Sequence, residues 1–265
     1  LYPIEASWQW GGGWLSEMGF SDFAGSTLVH AAGASAALAG ALVLGPRLGK
    51  YKDDGTVTPM PGSNMPLATL GTFILWLGWF GFNGGSQLAL GTIGDAADVS
   101  RIFTNTNTAA AGGALAALVL TQIMYKKIDL TMVLNGALAG LVSITAEPLA
   151  PSIGGATIIG AIGGAIVVFA VPLLDKLKID DVVGAISVHG IAGVWGTLAV
   201  AFSGGSIITQ FIGTASICAF VFILSLIIWY ILDAALGIRV SEEDELNGLD
   251  TSELGIDAYP DFSKS

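Results

Sequence analysis

Asp22-Phe23-Ala24-Gly25-Ser26-Thr27-Leu28-Val29-His30 is a stretch that the chain repeats, with the same spacing, as Asp181-Val182-Val183-Gly184-Ala185-Ile186-Ser187-Val188-His189. Both copies follow the pattern D-x-x-G-x-x-x-V-H and contain the only two histidines of the sequence. Each copy lies in a long apolar segment that is rich in glycine and alanine. An ionisable side chain inside a membrane is energetically costly and by default indicates a functional site. The repetition therefore predicts a paired site that is built from an internal repeat.

Composition predicts a membrane protein. Of the 265 residues, 53% are hydrophobic and 12% are charged, whereas soluble domains carry about 25% charged residues. Apolar segments repeatedly reach the roughly 20 residues that a membrane-spanning helix needs. The predicted fold is an all-α polytopic membrane protein with seven spans, at Phe23–Gly45, Pro66–Gly91, Asn107–Tyr125, Leu130–Ala146, Ile153–Leu174, Val182–Phe202 and Ile207–Leu236.

Basic residues indicate how these spans are oriented. They follow alternate spans, and Arg101 is the one exception in the other loops. Because positive charge collects in cytoplasmic loops, we expect the first span to run inward and the C-terminus of this multi-pass protein to be cytoplasmic. The residues that support this orientation are Arg47, Lys50, Lys52, Lys126, Lys127, Lys176, Lys178 and Arg239.

Most of the excess negative charge belongs to the C-terminal tail. The net charge is −11, and the sequence has no basic patch, so nucleic-acid binding has no support. The chain is accordingly divided into a membrane domain, residues 1–238, and a cytoplasmic tail, residues 239–265. The acidic residues beyond Arg239 are Glu242, Glu243, Asp244, Glu245, Asp250, Glu253, Asp257 and Asp261.

The spacing within the repeat predicts where the two histidines lie. The histidine comes eight positions after the aspartate in each copy, which is about 12 Å along a helix. Asp22 begins its span outside and Asp181 begins its span on the cytoplasmic side, so both imidazoles can reach the middle of a core about 30 Å thick. Similar segments of opposite direction indicate an inverted repeat with a site at the interface of its halves. Five-helix halves would require about four further spans upstream of Leu1.

The aspartates have two interpretations that the sequence leaves open. A carboxylate at a helix start caps the N-terminus and interacts favourably with the helix dipole. Asp22 and Asp181 are therefore candidates for a structural role as much as for ligand contact. A buried histidine can likewise be a core residue bonded to a carbonyl group, but two of them in an inverted repeat favour a functional pair.

Further motifs accompany the repeat. They are Trp79-Phe80-Gly81-Phe82-Asn83-Gly84-Gly85-Ser86, Val188-His189-Gly190, and the tail sequences Gly248-Leu249-Asp250 and Ala258-Tyr259. With these motifs the chain resembles the ammonium transporter (Amt/Rh) family, in particular its bacterial and plant branch. The resemblance covers nearly the whole chain and implies inverted five-helix repeats followed by a long final helix. Members of that family have about eleven spans, and the seven spans here resemble the fifth to the last.

The resemblance also implies roles for single residues. His30 and His189 resemble the twin histidines of a hydrophobic pore, and Phe82 resembles one of its gating phenylalanines. Trp10 and Ser86 resemble parts of an external site that recruits ammonium. The implied protein is a transporter and not an enzyme, and it needs no cofactor and no metal.

Partners follow from the same resemblance. It implies a homotrimer in the lipid bilayer of the cell membrane, with ammonium or ammonia as the transported species. A PII-type signalling protein is an implied partner at the cytoplasmic face, where the tail would be regulatory. Asp22 resembles a carboxylate that the family needs for ammonium use.

The chemistry of these residues suits ammonium. A tryptophan face attracts a small cation, and a serine hydroxyl can hydrogen-bond to it. Imidazole has an unperturbed pKa of about 6.5, and two neighbouring imidazoles titrate as a coupled pair. We therefore expect ammonium to be recruited outside and deprotonated, and ammonia to be conducted past the twin histidines, which relay the proton.

Alternatives remain for residues and for the whole chain. Trp10 alone is typical of an interfacial aromatic belt, Phe82 of core packing, and Ser86 of a hydroxyl bonded to its own helix. The chain could also be an ammonium sensor with little flux, a bis-histidine haem protein, or a channel for another small neutral solute.

Overall fold

Helices make up the fold from residue 1 to residue 260, which is the part of the chain that this computed structural model describes. In that part, the only β structure is an isolated bridge between Tyr51 and Val57. The prediction of an all-α fold is therefore confirmed, and the end of the predicted tail, residues 261–265, lies outside the described residues. The α-helices are α1 (Tyr2–Ser7), α2 (Trp14–Glu17), α3 (Ala32–Leu44), α4 (Met65–Gly85), α5 (Ile93–Tyr125), α6 (Leu130–Ile144), α7 (Ile153–Lys176), α8 (Ala192–Ala199), α9 (Ile207–Leu236), α10 (Glu242–Asn247) and α11 (Leu249–Leu254).

Two of these helices are preceded by a turn of π-helix. Ser26–Ala31 leads directly into α3, and Ile186–Ile191 leads directly into α8, which ends in a 3₁₀ turn at Val200–Ser203. Each π-helical turn contains one of the two histidines. A π-helical turn is rare and is frequently found at a functional site.

Polar side chains determine where the long apolar helices begin. A capping box formed by Thr92 and Asp95 starts α5. Such caps satisfy backbone N–H groups that the first turn of a helix leaves without partners. Single side-chain caps start α4, α6, α7 and α9, at Asn64, Asp129, Ser152 and Ser206 respectively.

Within residues 1–260, six helical segments of 18 to 33 residues are long and apolar enough to cross a membrane, and they correspond to six of the seven predicted spans. The remaining prediction, Leu130–Ala146, contains α6, whose 15 residues extend about 22 Å. Beyond the end of α6, the carbonyl groups of Thr145 and Ala146 accept the backbone N–H groups of Ala24 and Phe23. Non-helical backbone at membrane depth is tolerated where it is buried in protein, as it is here.

One predicted boundary was wrong by more than three turns. The third span was predicted to begin at Asn107, but α5 begins at Ile93 and carries Arg101 on its exposed side. Arg101 is therefore a helical residue and not a loop residue. The charged residues of the first two turns, Asp95 and Asp98, concealed the helix from a search for apolar runs.

The two helices that carry the repeat are antiparallel. Arg47, which follows α3, forms a bidentate ion pair with Asp180, with Nε 2.7 Å from Oδ2. At the opposite end, the side-chain amide of Gln210 donates to the carbonyl oxygens of Ser21 and Thr197, at 2.6 and 3.1 Å. The beginning of each repeat helix thus lies beside the end of the other, as the inverted repeat predicts.

Glycine allows α5, α6 and α7 to pack at close range. A Cβ atom at Gly160 would overlap the carbonyl oxygen of Ala109, and one at Gly164 would overlap that of Gly113. Small residues of this kind let membrane helices approach until their backbones touch. These three helices form the tightly packed support against which the repeat helices lie.

Candidate functional site

Asp22 organises the first copy of the repeat. Its Oδ1 atom accepts the N–H groups of Gly25 and Ser26, and its Oδ2 atom accepts those of Thr27 and Leu28, at 2.8 to 3.1 Å. Gly25 has a φ of 111°, a conformation that favours glycine. The chain reverses there and enters the π-helical turn, so aspartate and glycine together form the helix start.

Asp181 does the same in the second copy, with fewer bonds. Its carboxylate accepts the N–H group of Ile186 at 3.0 Å, and both the N–H and the hydroxyl group of Ser187. Gly184 has a φ of 78°. Asp22 is fully buried, whereas Asp181 is partly exposed. Both aspartates therefore lie where the capping interpretation expects them.

The two histidines meet directly. Nδ1 of His30 lies 3.2 Å from Nδ1 of His189, and the ring centroids are 5.1 Å apart in a stacked arrangement. One Nδ1 must donate a proton and the other must accept it, so the pair can share a proton between the rings. Nε2 of His30 is buried and has no hydrogen-bond partner in residues 1–260. That nitrogen is free to hydrogen-bond a small ligand.

Aromatic rings of α4 cover the histidine pair. The Trp79 ring stacks on His30 with centroids 4.9 Å apart and is nearly parallel to His189, at 6.5 Å. Phe82 lies one helical turn further along, 5.2 Å from His30. The Trp79 indole N–H donates to the hydroxyl group of Thr145, which holds the ring in place. The faces that Trp79 and Phe82 present to the histidine pair are aromatic and apolar.

Trp79 is the site residue that sequence reasoning missed. It is part of the motif that was quoted for α4, but no role was given to it. The available signal was its spacing of three residues from Phe82, because side chains three or four apart share one face of a helix.

Trp10 and Ser86 occupy different surroundings. Trp10 is 42% exposed as a residue, and its indole N–H donates to the backbone carbonyl of Asp22 at 2.9 Å. Ser86 is the first residue after α4, and its hydroxyl donates back to the carbonyl of Phe82 in that helix at 2.7 Å. Within residues 1–260, Trp10 and Ser86 share no hydrogen bond. Trp10 is thus bonded to the first repeat copy, while Ser86 is bonded to Phe82.

A haem group does not fit between the histidines. Axial ligation would place the macrocycle between the two rings, but Nδ1 of His30 and Nδ1 of His189 are already in hydrogen-bond contact. In the described part of the chain, no three His, Cys, Asp or Glu side chains are grouped so that they could hold a metal ion. The geometry therefore favours a proton-sharing pair over the haem alternative.

Comparisons with known proteins agree on one family. The model of the Ammonium Transporter Family matches residues 1–259. The chain is 42% identical to ammonium transporter Amt2 of Archaeoglobus fulgidus, over 99% of this chain and 62% of that protein. An identity of 42% over nearly the whole chain shows that the chain is homologous to this transporter.

Solved structures agree as well. A structure described as a sensor Amt protein is similar with a TM-score of 0.90 and 39% identity, over 95% of this chain and 66% of that one. Mep2 of Candida albicans is similar with a TM-score of 0.79 and 31% identity, over 92% of this chain and 58% of that one. The chain spans less than two thirds of the length of each of these relatives.

Proposed function

The chain belongs to the ammonium transporter family, and on that premise we propose that the complete protein moves ammonium through a pore in which His30 and His189 handle the proton. The observation that carries the proposal is the contact of 3.2 Å between the two Nδ1 atoms. The two residues lie 159 positions apart in the sequence and come from opposite ends of an inverted repeat. Core packing alone does not require that two imidazoles from antiparallel helices meet nitrogen to nitrogen.

Recruitment is the first step of the proposed mechanism. The exposed face of Trp10 attracts a cation through its ring quadrupole, and Ser86 offers an oxygen atom at the end of α4. Beyond this point a bare cation would lose its hydration in an apolar passage, which costs several kcal/mol or more. As it passes Phe82, ammonium therefore transfers a proton to the Nε2 atom of His30, which has no hydrogen-bond partner in residues 1–260, and it continues as neutral ammonia.

Conduction follows at the histidine pair. Neutral ammonia has one lone pair and three N–H groups, so it can hydrogen-bond the buried Nε2 of His30 either as donor or as acceptor. A proton on one imidazole can pass to the other across the contact between the Nδ1 atoms. Trp79 and Phe82 exclude water from this contact and support the separation of proton and ammonia.

Asp22 has a structural part in this mechanism. Both of its oxygen atoms already accept two backbone N–H groups each, so no lone pair points at a substrate. The carboxylate instead fixes the turn that brings His30 to the pair. Asp181 does the same for His189.

The second candidate function is that of an ammonium sensor with little flux. The similarity to a structure described as a sensor Amt protein favours it. In that case ammonium binding would change the conformation of the tail. The tail has suitable contacts, because Arg239 donates to the carbonyl of Leu44 and pairs with Glu245, which accepts the N–H group of Leu48.

Uptake of labelled methylammonium separates the two candidates. The complete protein in lipid vesicles should take up methylammonium faster than vesicles without protein, and ammonium should compete. If methylammonium binds to the protein but does not enter the vesicles, the transport proposal is wrong and the sensor is favoured.

The assembly and its location form part of the proposal. Large apolar side chains are exposed along the spans, as at Phe73, Leu77, Phe169 and Phe211, which supports a place in the bilayer. Family membership supports a homotrimer in the cell membrane, a regulatory tail on the cytoplasmic side, and a PII-type protein as a partner at that face.

A further inference from the structure

Glu5 is a buried carboxyl group to which the proposed mechanism gives no role. It lies on α1 with 0% of its surface exposed, and neither of its carboxyl oxygens has a hydrogen-bond partner in residues 1–260. Buried polar atoms are nearly always hydrogen-bonded, so each exception needs an explanation. A buried charge without a partner is more costly still.

The Glu5 side chain lines a cavity of about 190 Å³ between α1, the first repeat helix and α9. The walls are otherwise apolar, with Leu28, Ala32 and Val221 among them, and the exposed residues Leu1 and Tyr2 lie at its edge. A single water-sized ligand needs only about 10 to 15 Å³ of such space. The cavity therefore has room for a small ligand, and neither histidine lines it.

The charges around Glu5 determine its protonation. Burial and the nearby carboxylate of Asp22 raise the pKa of Glu5 to about 8. Cys218 on α9 and Tyr2 on α1 are the other titratable groups that face this region. Four backbone N–H groups stabilise a carboxylate at Asp22, whereas no hydrogen bond within residues 1–260 stabilises one at Glu5, so Glu5 is the carboxyl group that holds a proton while the cavity is empty.

We propose that Glu5 is a second binding site for a small nitrogen cation of the ammonium class, in this cavity and separate from the twin-histidine pair. The identity of the cation rests on the proposed function. An ammonium ion has four N–H donors, two of which can satisfy the carboxyl oxygens of Glu5, which have no hydrogen-bond partner in residues 1–260. Its positive charge also offsets the repulsion from Asp22.

Binding at this site is an exchange of one cation for one proton. The O–H bond of the protonated Glu5 breaks, its electron pair stays on the oxygen, and the proton leaves to the external solution. The resulting carboxylate binds ammonium, whose four N–H bonds stay intact. The site thus concentrates ammonium without any net change in charge.

Infrared difference spectroscopy of the complete protein tests this inference. At neutral pH, ammonium chloride should remove the carbonyl stretch of a protonated carboxyl group, and choline chloride at the same ionic strength should not. The change should be lost in Glu5→Gln and kept in Glu17→Gln, which alters an exposed acidic residue of α2. Glu5→Asp keeps the carboxyl group on a shorter side chain and should need more ammonium for the same change.

The double variant His30→Ala/His189→Ala distinguishes this site from the transport mechanism. It should lose uptake but keep the infrared change, because Glu5 does not depend on the histidines. An unchanged spectrum in the folded wild-type protein would overturn the inference, and so would an equal change in Glu5→Gln.

Discussion

At the scale of the residue, the pattern D-x-x-G-x-x-x-V-H could be interpreted almost completely from the sequence. Its aspartate caps, its glycine adopts a positive φ, and its histidine meets a second histidine. The π-helical turns could not be predicted, because a bulge of this kind leaves the apolar pattern of the segment unchanged. The unpartnered carboxyl group of Glu5 was equally hidden, since burial by distant segments is not visible in a local pattern.

The two aspartates should differ in their importance for stability. In Asp22→Asn one oxygen atom remains to accept four backbone N–H groups, and the new side-chain NH2 group faces two of these donors. Asp181 is partly exposed, so water can replace part of its hydrogen bonding in Asp181→Asn. Bonds to charged groups contribute about 1.5 to 3 kcal/mol each, so we expect Asp22→Asn to lower the apparent melting temperature far more than Asp181→Asn does. Thermal unfolding of both variants in detergent measures this, and equal losses would contradict the difference in burial.

At the scale of the element, it was easier to predict that a helix is present than to predict its first and last residues. The spans at α7 and α9 follow from their apolar length and end within two residues of the prediction, whereas α4 ends at Gly85, six residues before the predicted Gly91. The start of α5 at Ile93 was missed because its first turns are charged, and the early end of α6 depends on bonds to Phe23 and Ala24. Such boundaries are set by tertiary contacts, which a single segment does not reveal.

Glycines within one helix should respond differently to alanine. Gly160→Ala on α7 would force a methyl group onto the carbonyl oxygen of Ala109, while nothing lies within 4 Å of a Cβ atom at Gly154. Overpacking of this kind costs about 1 to 3 kcal/mol, so Gly160→Ala should melt at a lower temperature than the wild type. Gly154→Ala is the matched control, and similar melting temperatures for both variants would mean that α5 and α7 are not packed as closely as described.

At the scale of the whole molecule, the inverted repeat explains how two distant stretches form one site. The ion pair of Arg47 with Asp180 joins the antiparallel helices at one end, and the hydrogen bonds of Gln210 join them at the other. The two histidines meet between these connections. The positions of the basic residues in the loops were enough to predict that the two repeat helices run in opposite directions. Three features could not be predicted from the sequence, because they depend on how α4 and α1 pack. They are the distance between the two Nδ1 atoms, the stacking of Trp79 on His30 and the cavity beside Glu5.

The central claim is that the histidine pair carries out selective ammonium transport, and ammonium-evoked current across a bilayer that contains the complete protein tests it most directly. His30→Ala and His189→Ala should each abolish the selective ammonium current, because a single imidazole cannot pass a proton to a partner. Ser35→Ala, on the same helix as His30 but outside the pair, should keep the current of the wild type. Currents of unchanged size and unchanged preference for ammonium over potassium in both histidine variants would contradict the account.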